Sequence, residues 1–162
     1  MESNDITDIL DKSGCYCLNE KTHGMLLNIF DNHSTPLESE VDGQLILQLT
    51  FREQVTISQL EFFMCDEESK CPKTIKLYAN KTNLDFSNIE DEQYTEQIKL
   101  TKIISDIKIK LTRTTAWHST NTLTLFIDSN NGGYTTEIKQ LKIYGKKLEC
   151  LNVNNISKGC CC

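Results

Sequence analysis

The sequence predicts an all-β sandwich of the jelly-roll kind, and three observations carry that reading. Apolar residues recur at every second position in run after run, the period of a strand with one buried face. Helical periodicity is short or missing. Asn, Asp, Ser and Thr punctuate the runs while Pro occurs only 2 times in 162 residues, as the turns between many short strands require. With 38% hydrophobic and 25% charged residues the chain has the composition of an ordinary globular domain, and folding one domain of this size buries roughly 70% of its extended surface.

The elements follow in order. Residues 6–10 can make one helical turn behind an Asp5 cap. Residues 12–20 and 37–45 place turn formers, thiols and carboxylates just ahead of apolar material, as structured loops feeding a sheet do. Leu45, Leu47, Leu49 and Phe51 alternate, and Val55 and Ile57, then Leu60, Phe62 and Met64, continue the strand. The change of phase between Ile57 and Leu60 predicts a bulge or bend. Ile75, Leu77 and Ala79 alternate with Lys76 and Tyr78, and residues 83–92 form a polar excursion. Ile107, Ile109 and Leu111 alternate with Lys108 and Lys110; Leu123, Leu125 and Ile127 alternate with Thr122, Thr124 and Phe126. Residues 136–144 close the series, with Ile138, Leu141 and Ile143 facing inward. Gly132 and Gly133 mark a tight turn with positive φ. The expected core includes Leu47, Leu49, Phe62, Leu77, Ile109, Leu125 and Ile143, within a sandwich spanning about residues 14–145.

The chemistry of enzymes is largely missing. The chain has no Gly-x-Ser-x-Gly, His-Glu-x-x-His, Walker or dinucleotide-binding pattern. His23, His33 and His118 are scattered among polar residues. Cys15 and Cys17 are separated by one residue, not the two of a thioredoxin-type pair. With Cys65 and Cys71 they make an incomplete zinc pattern, since five residues lie between the second two. Glu38, Glu40 and Asp42 can be read as a hard-oxygen ladder for Ca²⁺ or as a solvated loop beside a strand, and the loop is the expectation. No catalytic residue, metal or cofactor is expected.

Charge is unevenly divided. Residues 1–96 carry 19 Asp/Glu and 7 Lys/Arg, whereas residues 97–162 carry 4 and 10. Such a field favours oriented docking to a protein partner. The plainer reading is that Lys108, Lys110, Lys139 and Lys142 are the outward positions of late strands. Nucleic acid is not expected, because no basic run interleaves with aromatics. The acidic, polar start and the lack of an apolar run of about 20 residues point to the cytosol.

Four segments carry a resemblance. Ser-Gly-Cys-Tyr-Cys-Leu-Asn-Glu at 13–20, Leu-Glu-Ser at 37–39 with Asp42 and Gln44-Leu45, Pro-Lys-Thr-Ile-Lys-Leu-Tyr at 72–78, and Ser-Asn-Asn-Gly-Gly at 129–133 resemble the PITH family in the same order. The similarity runs over residues 6–147, leaving an N-terminal extension at 1–5 and a cysteine-ended tail at 148–162. It implies a β-sandwich similar to galactose-binding-like jelly rolls and a non-enzymatic interaction module whose partner is the proteasome regulatory particle. Modules of this family stand behind a thioredoxin domain or alone. Only five residues precede Ile6, too few for that redox domain. Cys15, Cys17, Asn19, Glu20, Leu37, Glu38, Ser39 and Asp42 are the candidate partner-binding residues. Trp117 matches an aromatic position of the family and reads as packing.

Two rival functions are a thiol-redox or thioredoxin-linked protein and a carbohydrate-binding jelly roll. The Gly-Cys-Cys-Cys ending departs from the family. Gly159 stands where a Cys-a-a-X box needs its cysteine, but Cys160, Cys161 and Cys162 resemble doubly prenylated or palmitoylated termini. Two lipid chains anchor stably where one does not, so the third rival is a lipid-anchored peripheral adaptor. The expectation is a monomer in cytoplasm and nucleus, with a membrane fraction only if those thiols are lipidated.

Overall fold

The computed structural model describes residues 3–31, 35–101 and 106–148. Its strands are β1 (Asn4–Asp5), β2 (Tyr16–Leu18), β3 (Leu37–Glu38), β4 (Leu45–Met64), β5 (Pro72–Ala79), β6 (Glu96–Lys99), β7 (Asp106–Lys110), β8 (Thr120–Asn130) and β9 (Glu137–Lys147). Every pairing is antiparallel. The candidate lipidation residues Cys160, Cys161 and Cys162 lie outside the described residues. Among the described residues no helix is long and apolar enough to cross a membrane.

The 20-residue β4 belongs to both layers of the sandwich. Its first half pairs with β8 from Leu45↔Ile127 to Thr50↔Thr122 and with β2 at Ile46↔Leu18. Its second half pairs with β9, and from Gln59 onward also with β7. One layer therefore runs β2-β4-β8-β5-β6, and the other runs β7-β4-β9 with β1 and β3 on the far side of β9. Val55 is the crossing point, facing Thr120 in one layer and Lys147 in the other. The predicted change of phase is present as a register shift between Ile57 and Gln59. It turns Leu60 and Phe62 inward, so both halves of β4 feed one core.

That core contains Leu47, Leu49, Phe62, Leu77, Leu125 and Ile143, none with accessible surface. Ile109 departs from expectation and is only half-buried. It lies on β7, which among the described residues pairs with β4 alone and so forms a sheet edge. The sheet includes Asn4 and Asp5, the last two residues of the stretch set apart at 1–5, opposite Gly145 and Tyr144. The N-cap of the turn at Thr7–Ile9 is Ile6 rather than the expected Asp5; Asp5 Oδ1 instead accepts the Thr7 N–H at 2.9 Å in an Asx-type turn just ahead of it.

A second cluster overturns the outward reading of Tyr78 and Phe126. Both are 1% exposed and pack with Ile46, Leu84 and Ile89 on the outer face of the first layer. The polar excursion after β5 supplies the cover. Asn80 and Asn83 take positive φ, the left-handed conformation that Asn tolerates, and the chain folds back until the Tyr78 hydroxyl donates to the Ile89 carbonyl at 3.2 Å.

Glu96 at the start of β6 ties that edge to the loop before β8. Its carboxylate accepts the Thr112 and Arg113 N–H groups, the Thr112 hydroxyl and the Trp117 Nε1–H at 3.0–3.2 Å. Burial alone would raise the Glu96 carboxyl, but these donors outweigh it and hold the group below the usual range. A carboxyl depressed on folding stabilises above its unfolded value of about 4.3, and that contribution is lost as the pH falls through the folded value. Urea denaturation at stepped pH should show Glu96→Gln flattening the acid limb below about pH 4.3. An acid limb identical to the parent's would refute this.

Candidate interaction rim

Three connections meet at one end of the sandwich: β3 to β4, β4 to β5, and β8 to β9. The loop that leaves β2 joins them. Asn19 is the centre of the contact. It takes φ +73°, which turns its side chain back across the 40–44 loop. Its Nδ2 donates to the Gln44 carbonyl at 2.7 Å and to Asp42 Oδ1 at 3.0 Å, while its Oδ1 accepts the Val41 N–H. Asp42 Oδ1 also accepts the Gln44 N–H at 3.0 Å. The two motif loops are thus fastened to each other by their own polar side chains.

Glu20 accepts the Gly24 and Leu26 N–H groups at 3.1 and 3.2 Å, closing the turn at Met25–Ile29. Ser39 is fully buried and exchanges hydrogen bonds with Thr136: its N–H donates to the Thr136 carbonyl and its Oγ accepts the Thr136 N–H at 2.8 Å. Leu37 is fully buried beside it in β3, paired with Ile138. Cys17 lies 8% exposed in β2, and burial pushes its thiol well above the ordinary range. Cys15 is half-buried, donating to the Asp11 carbonyl at 3.3 Å. Burial raises it too, against a lowering backbone contact from Thr50.

Glu38 faces an ion-pair knot. Lys70 Nζ stands 3.0 Å from Glu38, 3.3 Å from Glu137 and 3.4 Å from Glu67. Burial by itself would raise Glu38, yet hydrogen bonds from Lys70, Thr135 and Lys21 hold it below the usual carboxylate range. The three acids read as a ladder are therefore put to separate uses. Glu38 binds Lys70, Asp42 shapes a turn, and Glu40 is exposed.

The Ser-Asn-Asn-Gly-Gly turn completes the rim. Asn130 Nδ2 donates to the Gly133 and Thr135 carbonyls and its Oδ1 accepts the Gly132 N–H. Gly132 has φ +105°, and a Cβ at Gly133 would meet the Ser69 carbonyl oxygen at 2.8 Å, so the turn admits little else. The Gly133 N–H donates to that same oxygen at 2.9 Å.

The structure thus brings Asn19, Glu20, Glu38, Ser39 and Asp42 to one end and occupies each with internal hydrogen bonds. What faces outward was not singled out in the sequence: Val41 at 81% and Tyr134 at 96% exposure. They flank the motifs, and Thr136 Oγ1 ties their two loops together by donating to the Gly43 carbonyl at 2.6 Å. Exposed Glu40, Asp42, Asp66, Glu67 and Glu68 make their surroundings acidic. A rigid acidic frame around an exposed aromatic and an exposed valine suits protein binding better than bond-making chemistry.

The family model described as the PITH domain matches residues 1–158. "Thioredoxin-like protein 1" of Schizosaccharomyces pombe is 34% identical over 82% of this chain and 48% of its own length. "PITH domain-containing protein 1" of Dictyostelium discoideum is 32% identical over 84% of this chain and 70% of its own. The chain therefore spans about half the length of the first relative. Among solved structures, the family 32 carbohydrate-binding module of Clostridium perfringens NanJ, in complex with galactose, superposes with a TM-score of 0.66. It covers 88% of this chain and 99% of its own at 8% identity. That likeness establishes a galactose-binding-like jelly roll and nothing about sugar.

Proposed function

Since the chain belongs to the PITH domain family, we propose that it is a non-catalytic protein-interaction module that docks on the proteasome regulatory particle, working as a monomer in cytoplasm and nucleus. The observation that carries the reading is the rim. Family-motif side chains are used up in holding four connections together, and the frame they make presents Val41 and Tyr134 to solvent. A Tyr held on a rigid loop is the kind of anchor that dominates binding energy. The acidic surroundings select a basic partner face and speed encounter at low salt. The burial of Cys17 in β2 and the single residue between it and Cys15 weigh against a thioredoxin-type role for that pair.

The test is recovery from native lysate on the tagged full chain, read by quantitative mass spectrometry. Proteasome regulatory-particle subunits should be enriched with the parent chain. The double variant Val41→Asp, Tyr134→Ala should recover at least about tenfold less, the effect of losing a hot spot of roughly 2 kcal/mol. Recovery should also fall as salt is raised. Equal recovery by parent and variant would remove the rim from the interface. Absent subunits together with turnover in an insulin-reduction assay would replace the module reading with the redox one.

A further inference from the structure

We propose that Cys65 and Cys71 form a reversible disulfide, which makes the β4–β5 connection a modification site for low-molecular-weight disulfides of the glutathione class. Cys65 directly follows the end of β4 and Cys71 directly precedes β5. The turn at Glu68–Lys70 folds the connection back until the two sulfurs stand 3.8 Å apart, in van der Waals contact. Both thiols donate to the same acceptor, the Glu67 carbonyl, at 3.2 Å from Cys65 and 3.7 Å from Cys71. That shared acceptor keeps the sulfurs pointed at one another. A disulfide needs them at about 2.05 Å, and the connection holding them lies outside the strands.

Exposure divides the labour. Cys65 is half-buried and open to a small oxidant, whereas Cys71 is 1% exposed. Cys65, as thiolate, attacks one sulfur of glutathione disulfide and releases one glutathione. Cys71 gives up its proton, attacks the Cys65 sulfur of the mixed disulfide and releases the second. Two protein S–H bonds and one oxidant S–S bond become one protein S–S bond and two glutathione S–H bonds. The protein loses two electrons and the oxidant gains them.

Thiolate supply sets the pace. Burial first, and then the adjacent Cys71 thiol, push the Cys65 thiol up to about 12. The rate at fixed oxidant should therefore climb about tenfold per unit between about pH 7 and about pH 10, without a plateau. The Cys71 carbonyl accepts both the backbone N–H and the Nδ2 of Asn131, at 3.2 and 2.9 Å, so the crosslink forms directly beneath the rim turn. Its formation requires no partner and does not depend on the docking proposal.

The experiment equilibrates the full chain in glutathione buffers of rising disulfide fraction, blocks remaining thiols with an alkylating agent and maps tryptic peptides by mass. Cleavage after Lys70 separates the two cysteines, so a disulfide appears as two joined peptides lacking two hydrogens and parted by dithiothreitol. Cys71→Ser should stop at the mixed stage, with glutathione on Cys65. Cys65→Ser should leave Cys71 unmodified in the folded protein. Two freely alkylated peptides in the most oxidising buffer would overturn the proposal, and so would glutathione accumulating on Cys65 of the parent chain. If Cys71→Ser does not fold, the parent map and Cys65→Ser decide the matter.

Discussion

Replacing Trp117 with Ala is expected to destabilise the fold by about 3–5 kcal/mol, the range for removing a buried aromatic. Trp117 is fully buried in the main core and its Nε1–H donates to Glu96 at 3.0 Å. Truncation opens a cavity and takes one donor from a buried carboxylate. The loop before β8 leans on the same residue: the Trp117 carbonyl accepts the Ile57 N–H and the Thr120 hydroxyl at 3.1 Å. At about 2–4 °C per kcal/mol for a chain of this size, the thermal midpoint should fall by roughly 6–20 °C. Trp117→Phe keeps the six-membered ring but loses the pyrrole half with its N–H, so its loss should be smaller than that of Trp117→Ala and still include about 1–3 kcal/mol for the carboxylate left short of a donor. Calorimetry on the three proteins reads the result. A Trp117→Ala chain within about 1 kcal/mol of the parent would mean that the side chain is not core.

Leu125→Ala is the second large expectation, at about 2–5 kcal/mol. Leu125 has no accessible surface and sits in the middle of β8, opposite Leu47 on β4 and Leu77 on β5. Its cross-strand neighbours come from the two strands that flank β8, pinned by ladders on both sides, so the site collapses poorly and the loss should lie toward the upper part of that range. Chemical denaturation should show a lower midpoint with an unchanged slope, as for a stability change without a change of folded state. A solvent-accessible Leu125, revealed by a loss of only a few tenths of a kcal/mol, would contradict the sandwich itself.

Leu125 lies in β8, where alternation alone located the inward residues, whereas Trp117 lies in the loop before that strand. Tyr78 and Phe126 show where alternation stops being informative. Period two assigns them to the face opposite Leu77 and Leu125, and they do lie on that face. Whether that face meets water or protein depends on a segment further along the chain, and the cover comes from Leu84, Phe86 and Ile89, three apolar residues in a polar stretch. Ile109 errs the other way: its alternation is faultless, yet β7 is an edge strand and has half a core to face.

The candidate site was legible in its motifs and not in its exposure. Glu20, Glu38 and Asp42 look like surface carboxylates in the sequence, because nothing local names the N–H groups and the lysine that consume them. Glu38 meets Lys70 across 32 positions and Ser39 meets Thr136 across 97. Val41 and Tyr134 have no periodic signal at all, since each sits at a loop tip.

What the sequence by itself determined is the fold class, the strands β4, β5, β7, β8 and β9, the bulge in β4, the glycine turn at 132 and the family, whereas β1, β2, β3 and β6 had no strand signal. All of these rest on short-range rules: a two-residue period, a local left-handed φ, or motifs read in order. Only the tertiary structure decided which faces are covered, which acids are neutralised, and that Cys65 and Cys71 are neighbours. Those outcomes depend on pairings between residues far apart in the chain, or on how a turn folds back, and the free energy of such contacts is assigned only when the whole sandwich closes.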